Sequence, residues 1–141
     1  LILNSTYTQK EHKHIIADLI GKPYSFFEAL KMGGVGSKRM IIEQVSPNME
    51  QYLNVVSDIN YANIEMRPNG ILIYINKGLK NYTWVIPYYQ LVLYKTNGTS
   101  IHAQGKFIRF SNTKTFKENA TFFKKLMNAK IKHDEQYSFQ F

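Results

Sequence analysis

Tyr61-Ala62-Asn63-Ile64-Glu65-Met66-Arg67-Pro68-Asn69-Gly70-Ile71-Leu72-Ile73-Tyr74-Ile75-Asn76-Lys77-Gly78 is the stretch that decides the fold. Ala62, Ile64 and Met66 alternate with Asn63, Glu65 and Arg67, and Ile71, Ile73 and Ile75 repeat the alternation beyond Pro68-Asn69-Gly70. An apolar side chain at every second position marks a half-buried strand, and two such runs about a Gly-containing turn read as a hairpin. Downstream, Asn76-Lys77-Gly78 turns again and Tyr82, Trp84 and Ile86 alternate with Thr83 and Val85. Pro87 has no amide donor, so the strand breaks or bends there. Leu91 to Lys95 and Ser100 to Gln104 flank a hairpin turn at Thr96-Asn97-Gly98-Thr99. Gly105 permits a bulge or tight turn before Lys106 to Phe110, where Phe107 and Arg109 face opposite to Ile108 and Phe110. The sum is an antiparallel meander of about six short strands.

Outward from this meander the period changes. Lys38 to Val45 reads as one more strand, with Met40, Ile42 and Gln44 on one face. Ser46-Pro47 resembles a helix start, continued by Met49, Tyr52, Leu53 and Val56, although Val55 and Val56 suit a strand equally. The N-terminal third is helical in pattern. Thr8 caps Gln9 to Ile20, where Ile15, Ile16, Leu19 and Ile20 recur at helical spacing, and Gly21 ends the run. Pro23 begins a second piece, Tyr24 to Met32, with Phe26, Phe27 and Leu30 along one side. Gly33-Gly34-Val35-Gly36 follows as hinge or boundary. At the other end Asn112 or Thr113 caps a helix whose Phe116, Ala120, Phe123, Met127 and Ile131, widened by Leu126, form a core-facing stripe. Lys114, Lys117, Lys124, Lys125 and Lys132 collect on its opposite side. The expected organisation is a helical segment 1–36 packed on the core, a β domain with its C-terminal helix at 37–133, and a tail at 134–141. The fold class is α+β: a strongly bent antiparallel sheet or small barrel capped by an amphipathic helix.

The chain has 141 residues, 44% hydrophobic and 20% charged, which suits one domain and excludes a disordered, collagenous or coiled-coil chain. No apolar run approaches the roughly 18 residues of a membrane span. Leu1-Ile2-Leu3 is too short for a signal-peptide core, so a cytoplasmic or membrane-peripheral location is expected. With no cysteine there is no disulfide, thiolate zinc site or Cys nucleophile. The net charge is +8, and it is segregated: residues 1–60 carry six basic and six acidic side chains, residues 61–141 twelve and four. Fifteen lysines among abundant Asn, Ile, Tyr and Phe also fit AT-rich codons. Codon usage does not explain the asymmetry between halves, which points to an anionic partner.

Catalytic patterns are thin. Of the four histidines, His12, His14, His102 and His133, the first two lie two apart and point to different helix faces, unlike a zinc-binding His-x-x-x-His pair. Gly33-Gly34-Val35-Gly36-Ser37-Lys38 departs from a phosphate loop, which needs four residues between its glycines and Lys before Ser/Thr. No metal or other cofactor is expected. Asn-x-Ser/Thr triplets at Asn4, Asn81, Asn97 and Asn119 are ordinary in so Asn-rich a chain. Gly105-Lys106-Phe107-Ile108-Arg109-Phe110 partly resembles the aromatic strand of RNA-recognition and cold-shock domains, without its preceding Gly-aromatic-Gly.

A broader likeness runs through Gly70-Ile71-Leu72-Ile73-Tyr74, Trp84-Val85-Ile86-Pro87-Tyr88-Tyr89-Gln90-Leu91, the Asn97-Gly98 turn, Gly105 to Phe110, and Phe122-Phe123-Lys124-Lys125-Leu126. In order and pattern, residues 38–132 resemble the bacterial pleckstrin-homology-like and GRAM group. The resemblance implies a seven-stranded bent barrel plugged by a C-terminal helix, used as a recognition scaffold. The Lys-x-Lys/Arg-x-Arg cluster of lipid-binding members has no counterpart, since the first hairpin offers only Arg67. The expected function is therefore a non-enzymatic binding module that presents Lys77, Lys80, Lys114, Lys117, Lys124 and Lys125 to an anionic protein or membrane surface. The alternatives are a single-stranded nucleic-acid binder and a hydrolase whose site is dispersed along the chain.

Overall fold

The computed structural model describes residues 1–7, 9–54, 59–95 and 98–138, the side chains of the last two excepted. Expectations for Thr8 as a cap, for Val55 and Val56, for the Thr96-Asn97 part of the hairpin turn and for the end of the tail lie outside the described residues. Eight strands form one antiparallel sheet: β1 (Ile2–Asn4), β2 (Met40–Val45), β3 (Tyr61–Arg67), β4 (Gly70–Lys77), β5 (Lys80–Pro87), β6 (Val92–Tyr94), β7 (Thr99–Ala103) and β8 (Lys106–Phe110). Their order across the sheet is β1-β5-β4-β3-β2-β8-β7-β6. Two meanders, β2 to β5 and β6 to β8, are thus joined where the first strand of one pairs with the last strand of the other. The alternation that announced the hairpins holds: Ala62, Ile64, Met66, Ile71, Ile73, Ile75, Trp84 and Ile86 are all buried in a single core shared with both meanders.

Two sheet expectations are corrected. Burial in β2 steps from Met40 and Ile42 to Val45, leaving Gln44 exposed. The register against β8 shifts between Ile42 and Gln44, so a bulge inserts one residue and turns the rest of the strand over. The sheet is also open, not a small barrel, with β1 and β6 as its edges. Pro87 ends β5 in a 3₁₀ turn (Tyr88–Gln90), and the chain then enters the far edge of the sheet. Side chains bridge that junction in place of a ladder. Gln104 Nε2 donates to the Val85 carbonyl (3.1 Å) and to Gln90 Oε1 (2.7 Å), and Trp84 Nε1 donates to Gln104 Oε1 (3.1 Å).

Helices α1 (Lys10–Ile20) and α2 (Phe26–Lys31) precede β2, and β1 adds a strand within the segment read as helical. Helix α1 covers part of the outer sheet face, burying Ile20 with Leu72 and Val85. Gly70 makes this approach possible, because a Cβ there would overlap Ile20 Cγ2 and the Ile86 carbonyl. The helix read at Ser46-Pro47 is a 3₁₀ helix, Pro47–Tyr52, that buries Met49.

The C-terminal helix is two helices, α3 (Lys114–Lys117) and α4 (Ala120–Ser138). Thr113 Oγ1 accepts from the Phe116 amide at 3.3 Å, capping α3. Buried Asn119 pins the break: it accepts from the Lys38 amide (2.8 Å) and donates to the carbonyls of Lys38 (3.2 Å) and Thr115 (3.1 Å). Because α4 starts afresh at Ala120, the expected stripe is rotated. Phe122, Phe123 and Leu126 are buried, Phe116 and Met127 are half-buried, and Ala120 and Ile131 are exposed. Helix α4 also runs through residues 134–138, which the pattern had assigned to a tail.

Candidate functional site

The new phase of α4 redistributes the lysines expected to act together. Lys114 and Lys117 lie one turn apart on α3, both exposed, and Lys124 is exposed on α4. Among the described residues none of the three has an acidic partner. Glu118, the acidic residue next to Lys117, is paired with Lys38 at 3.2 Å. Lys125 is different. Its ammonium is half-buried and donates to the carbonyls of Met32 (3.1 Å), Gly33 (3.0 Å) and Gly34 (2.9 Å). The segment read as a hinge is thereby clamped to α4. Lys77 and Lys80 face each other across the β4–β5 hairpin. Lys77 Nζ donates to the Gln51 carbonyl at 2.7 Å, whereas Lys80 is exposed beside Leu79, which is 96% exposed at the hairpin tip. Of the six lysines expected at the site, Lys80, Lys114, Lys117 and Lys124 are therefore free to meet a partner.

The polar positions of β3, β4 and β5 form a feature that charge counting missed. Asn63 pairs with Tyr74 and Tyr74 with Thr83 in one row, and Asn76 pairs with Asn81 in the next. Beyond the part covered by α1 these residues, with Arg39 and Tyr61, line a groove of about 590 Å³. The Arg39 guanidinium sits 4.1 Å from the Tyr61 ring centroid, a cation–π contact that fixes both. Tyr74 donates to Glu65 Oε1 at 3.3 Å, and Glu65 pairs with Arg67 at 2.6 Å. Burial, then the Glu65 charge, push the Tyr74 phenol up to about 12. In the sequence the groove is visible only as the solvent phase of the alternation, where polar residues need no functional reason.

Ser100 Oγ and His102 Nε2 lie 3.0 Å apart, the separation a nucleophile and its base require. The hydroxyl is buried, however, and the imidazole is stacked on Phe107 with Tyr94 at its edge. Burial holds its pKa below the ordinary histidine value. Among the described residues no group of three or more His, Asp or Glu is placed to hold a metal ion. In the aromatic strand at Lys106 to Phe110, Phe110 lies in the core and Phe107 stacks on His102. Asn119 is 3% exposed, so its triplet is not open to a glycan. No described helix is long and apolar enough to cross a membrane. Compared with protein-family models, curated proteins and solved structures, the chain matches none.

Proposed function

We propose that the protein is a non-enzymatic binding module, cytoplasmic or membrane-peripheral, that presents Lys114, Lys117 and Lys124 to an anionic partner. The observation that carries this reading is the exposure of all three cations with no acidic partner among the described residues, while the nearby Glu118 is held by Lys38. Lys80 on the β4–β5 hairpin adds a second basic point. Kinship with the pleckstrin-homology-like and GRAM group is part of the proposal. It draws support from seven strands, β2 to β8, in two joined meanders followed by a helix packed on the core. An open groove and a charged helix surface suit recognition, and Ser100, the hydroxyl that lies beside a histidine, belongs to a buried residue.

The test is charge reversal in the triple variant Lys114→Glu, Lys117→Glu, Lys124→Glu. Exposed substitutions of this kind typically shift stability by no more than about ±0.5 kcal/mol each, so the variant folds. Binding to phosphatidylglycerol vesicles or to an oligothymidine strand, measured at low salt, should weaken by about tenfold or more. Unchanged affinity in the folded variant overturns the reading. A preference for oligothymidine over vesicles would move the partner class to nucleic acid.

A further inference from the structure

We propose that the apolar face of α2 inserts into an anionic lipid bilayer, with Phe26, Phe27 and Leu30 as the inserting side chains and the flanking Lys22 and Lys31 as cations that meet the headgroups. The proposal rests on the basic-surface reading and narrows its partner to one class.

Phe26, Phe27 and Leu30 are 76%, 74% and 67% exposed on a single six-residue helix. Single exposed apolar residues are normal on any protein surface, but three large ones on one helical turn mark a contact site. Polar contacts at both ends hold the helix in this attitude. At its start Ser25 and Glu28 form a reciprocal capping box, the Glu28 amide donating to Ser25 Oγ (3.2 Å) and the Ser25 amide to Glu28 Oε1 (3.1 Å). At its end Lys125 gathers the Met32, Gly33 and Gly34 carbonyls. Tyr24 and Met32 pack inward against the core, so the trio is turned outward. The exposed cations nearest in the chain are Lys22, before the helix, and Lys31, its last residue.

Size and charge select the occupant. A stable protein interface buries about 800 Å² on each partner, from some 20–30 residues a side, far more than one turn of helix supplies. A bilayer needs no matching shape, and it takes Phe and Leu at the boundary of headgroups and acyl chains while lysines meet anionic lipid. A second copy of the chain would instead bring two +8 molecules together.

Trp84 is fully buried, so Phe27→Trp places a reporter in the trio against a native background that vesicles do not perturb. With phosphatidylcholine vesicles containing phosphatidylglycerol, its emission should shift to the blue and resist acrylamide quenching; pure phosphatidylcholine should produce neither change. Adding Phe26→Ser and Leu30→Ser, both exposed, should abolish the shift and reduce vesicle pelleting by about tenfold or more, with an unchanged thermal melt. Pelleting without a blue shift overturns insertion and leaves the basic-surface reading intact. Absence of vesicle binding also overturns insertion, and if oligothymidine or an acidic protein is not bound either, both readings fall. A blue shift without vesicles that grows with protein concentration assigns the trio to self-association and overturns the proposal.

Discussion

At Lys125 one side chain ties the end of α2 to another helix. An ammonium that donates to three carbonyls anchors the segment just after α2, where Gly33 and Gly34 have no Cβ to restrict the backbone. Lys125→Met keeps the aliphatic stem and removes the charge, leaving those carbonyls to water. The expected cost is about 1–3 kcal/mol, with faster amide exchange across residues 25–34 and little change in β4 and β5. Equal protection of residues 25–34 in the variant would show that α2 is held by apolar contacts alone. Gln104 has a comparable role at the sheet junction. It takes a positive φ of 55° in the β7–β8 turn, a conformation uncommon for a residue with a Cβ, while its amide reaches across to β5. Neither role is visible in a lysine count or in a Gln-Gly turn, because each depends on a partner far away in the chain.

Among the elements, β6 to β8 are the part whose stability should depend on mild acid. His102 stacks on Phe107, bonds to Ser100 and has its pKa lowered from 6.5 by burial. The unfolded chain accepts a proton near pH 6.5 that the folded chain refuses until lower pH. Stability contributed by the neutral imidazole is therefore complete above that value and declines as pH falls through the folded pKa. The melting temperature of the native chain should drop between pH 7 and pH 5 more steeply than that of His102→Phe; parallel profiles would remove His102 as the cause. These strands were legible in the sequence, since period-two alternation survives wherever one face is buried. The bulge in β2 was not, because the phase change from Ile42 to Val45 depends on pairing with β8. The split of the last helix was hidden for a similar reason. Asn119 reads as a mid-helix residue until the Lys38 backbone is beside it, and a continuous helix then assigns the wrong stripe. Of the expected basic site, Lys114, Lys117, Lys124 and Lys80 were legible as surface cations, whereas Lys77 and Lys125 are occupied by backbone carbonyls.

For the molecule as a whole, an open sheet leaves two edges to protect, and the three residues of β1 guard one of them. Ile2, Leu3 and Asn4 pair with Trp84, Thr83 and Tyr82, and the flanking bonds Val85 N–H to Leu1 O (2.8 Å) and Ser5 N–H to Asn81 O (2.8 Å) complete the cover. Leu3 also packs beside the Ile20, Leu72 and Val85 cluster under α1. So short a strand shows no alternation that could be read, yet β5 behind it carries the buried Trp84, Val85 and Ile86. Removing residues 1–6 uncovers the edge of β5 over most of its length and takes away the Leu3 contact. Ladder bonds contribute about 1 kcal/mol each net, and a partly buried leucine adds on the order of 1–2 kcal/mol. For a chain of this size that corresponds to a fall in melting temperature of roughly 10 °C or more. An uncovered strand edge is also a template for pairing with another chain, and the net charge of +8 opposes that pairing until salt screens it. The truncated protein should therefore melt lower than the full chain and, as salt is raised, sediment as dimers or larger species, while the full chain remains unchanged. A truncated protein that melts like the full chain and stays monomeric at high salt would show that β1 lies on the edge without protecting it.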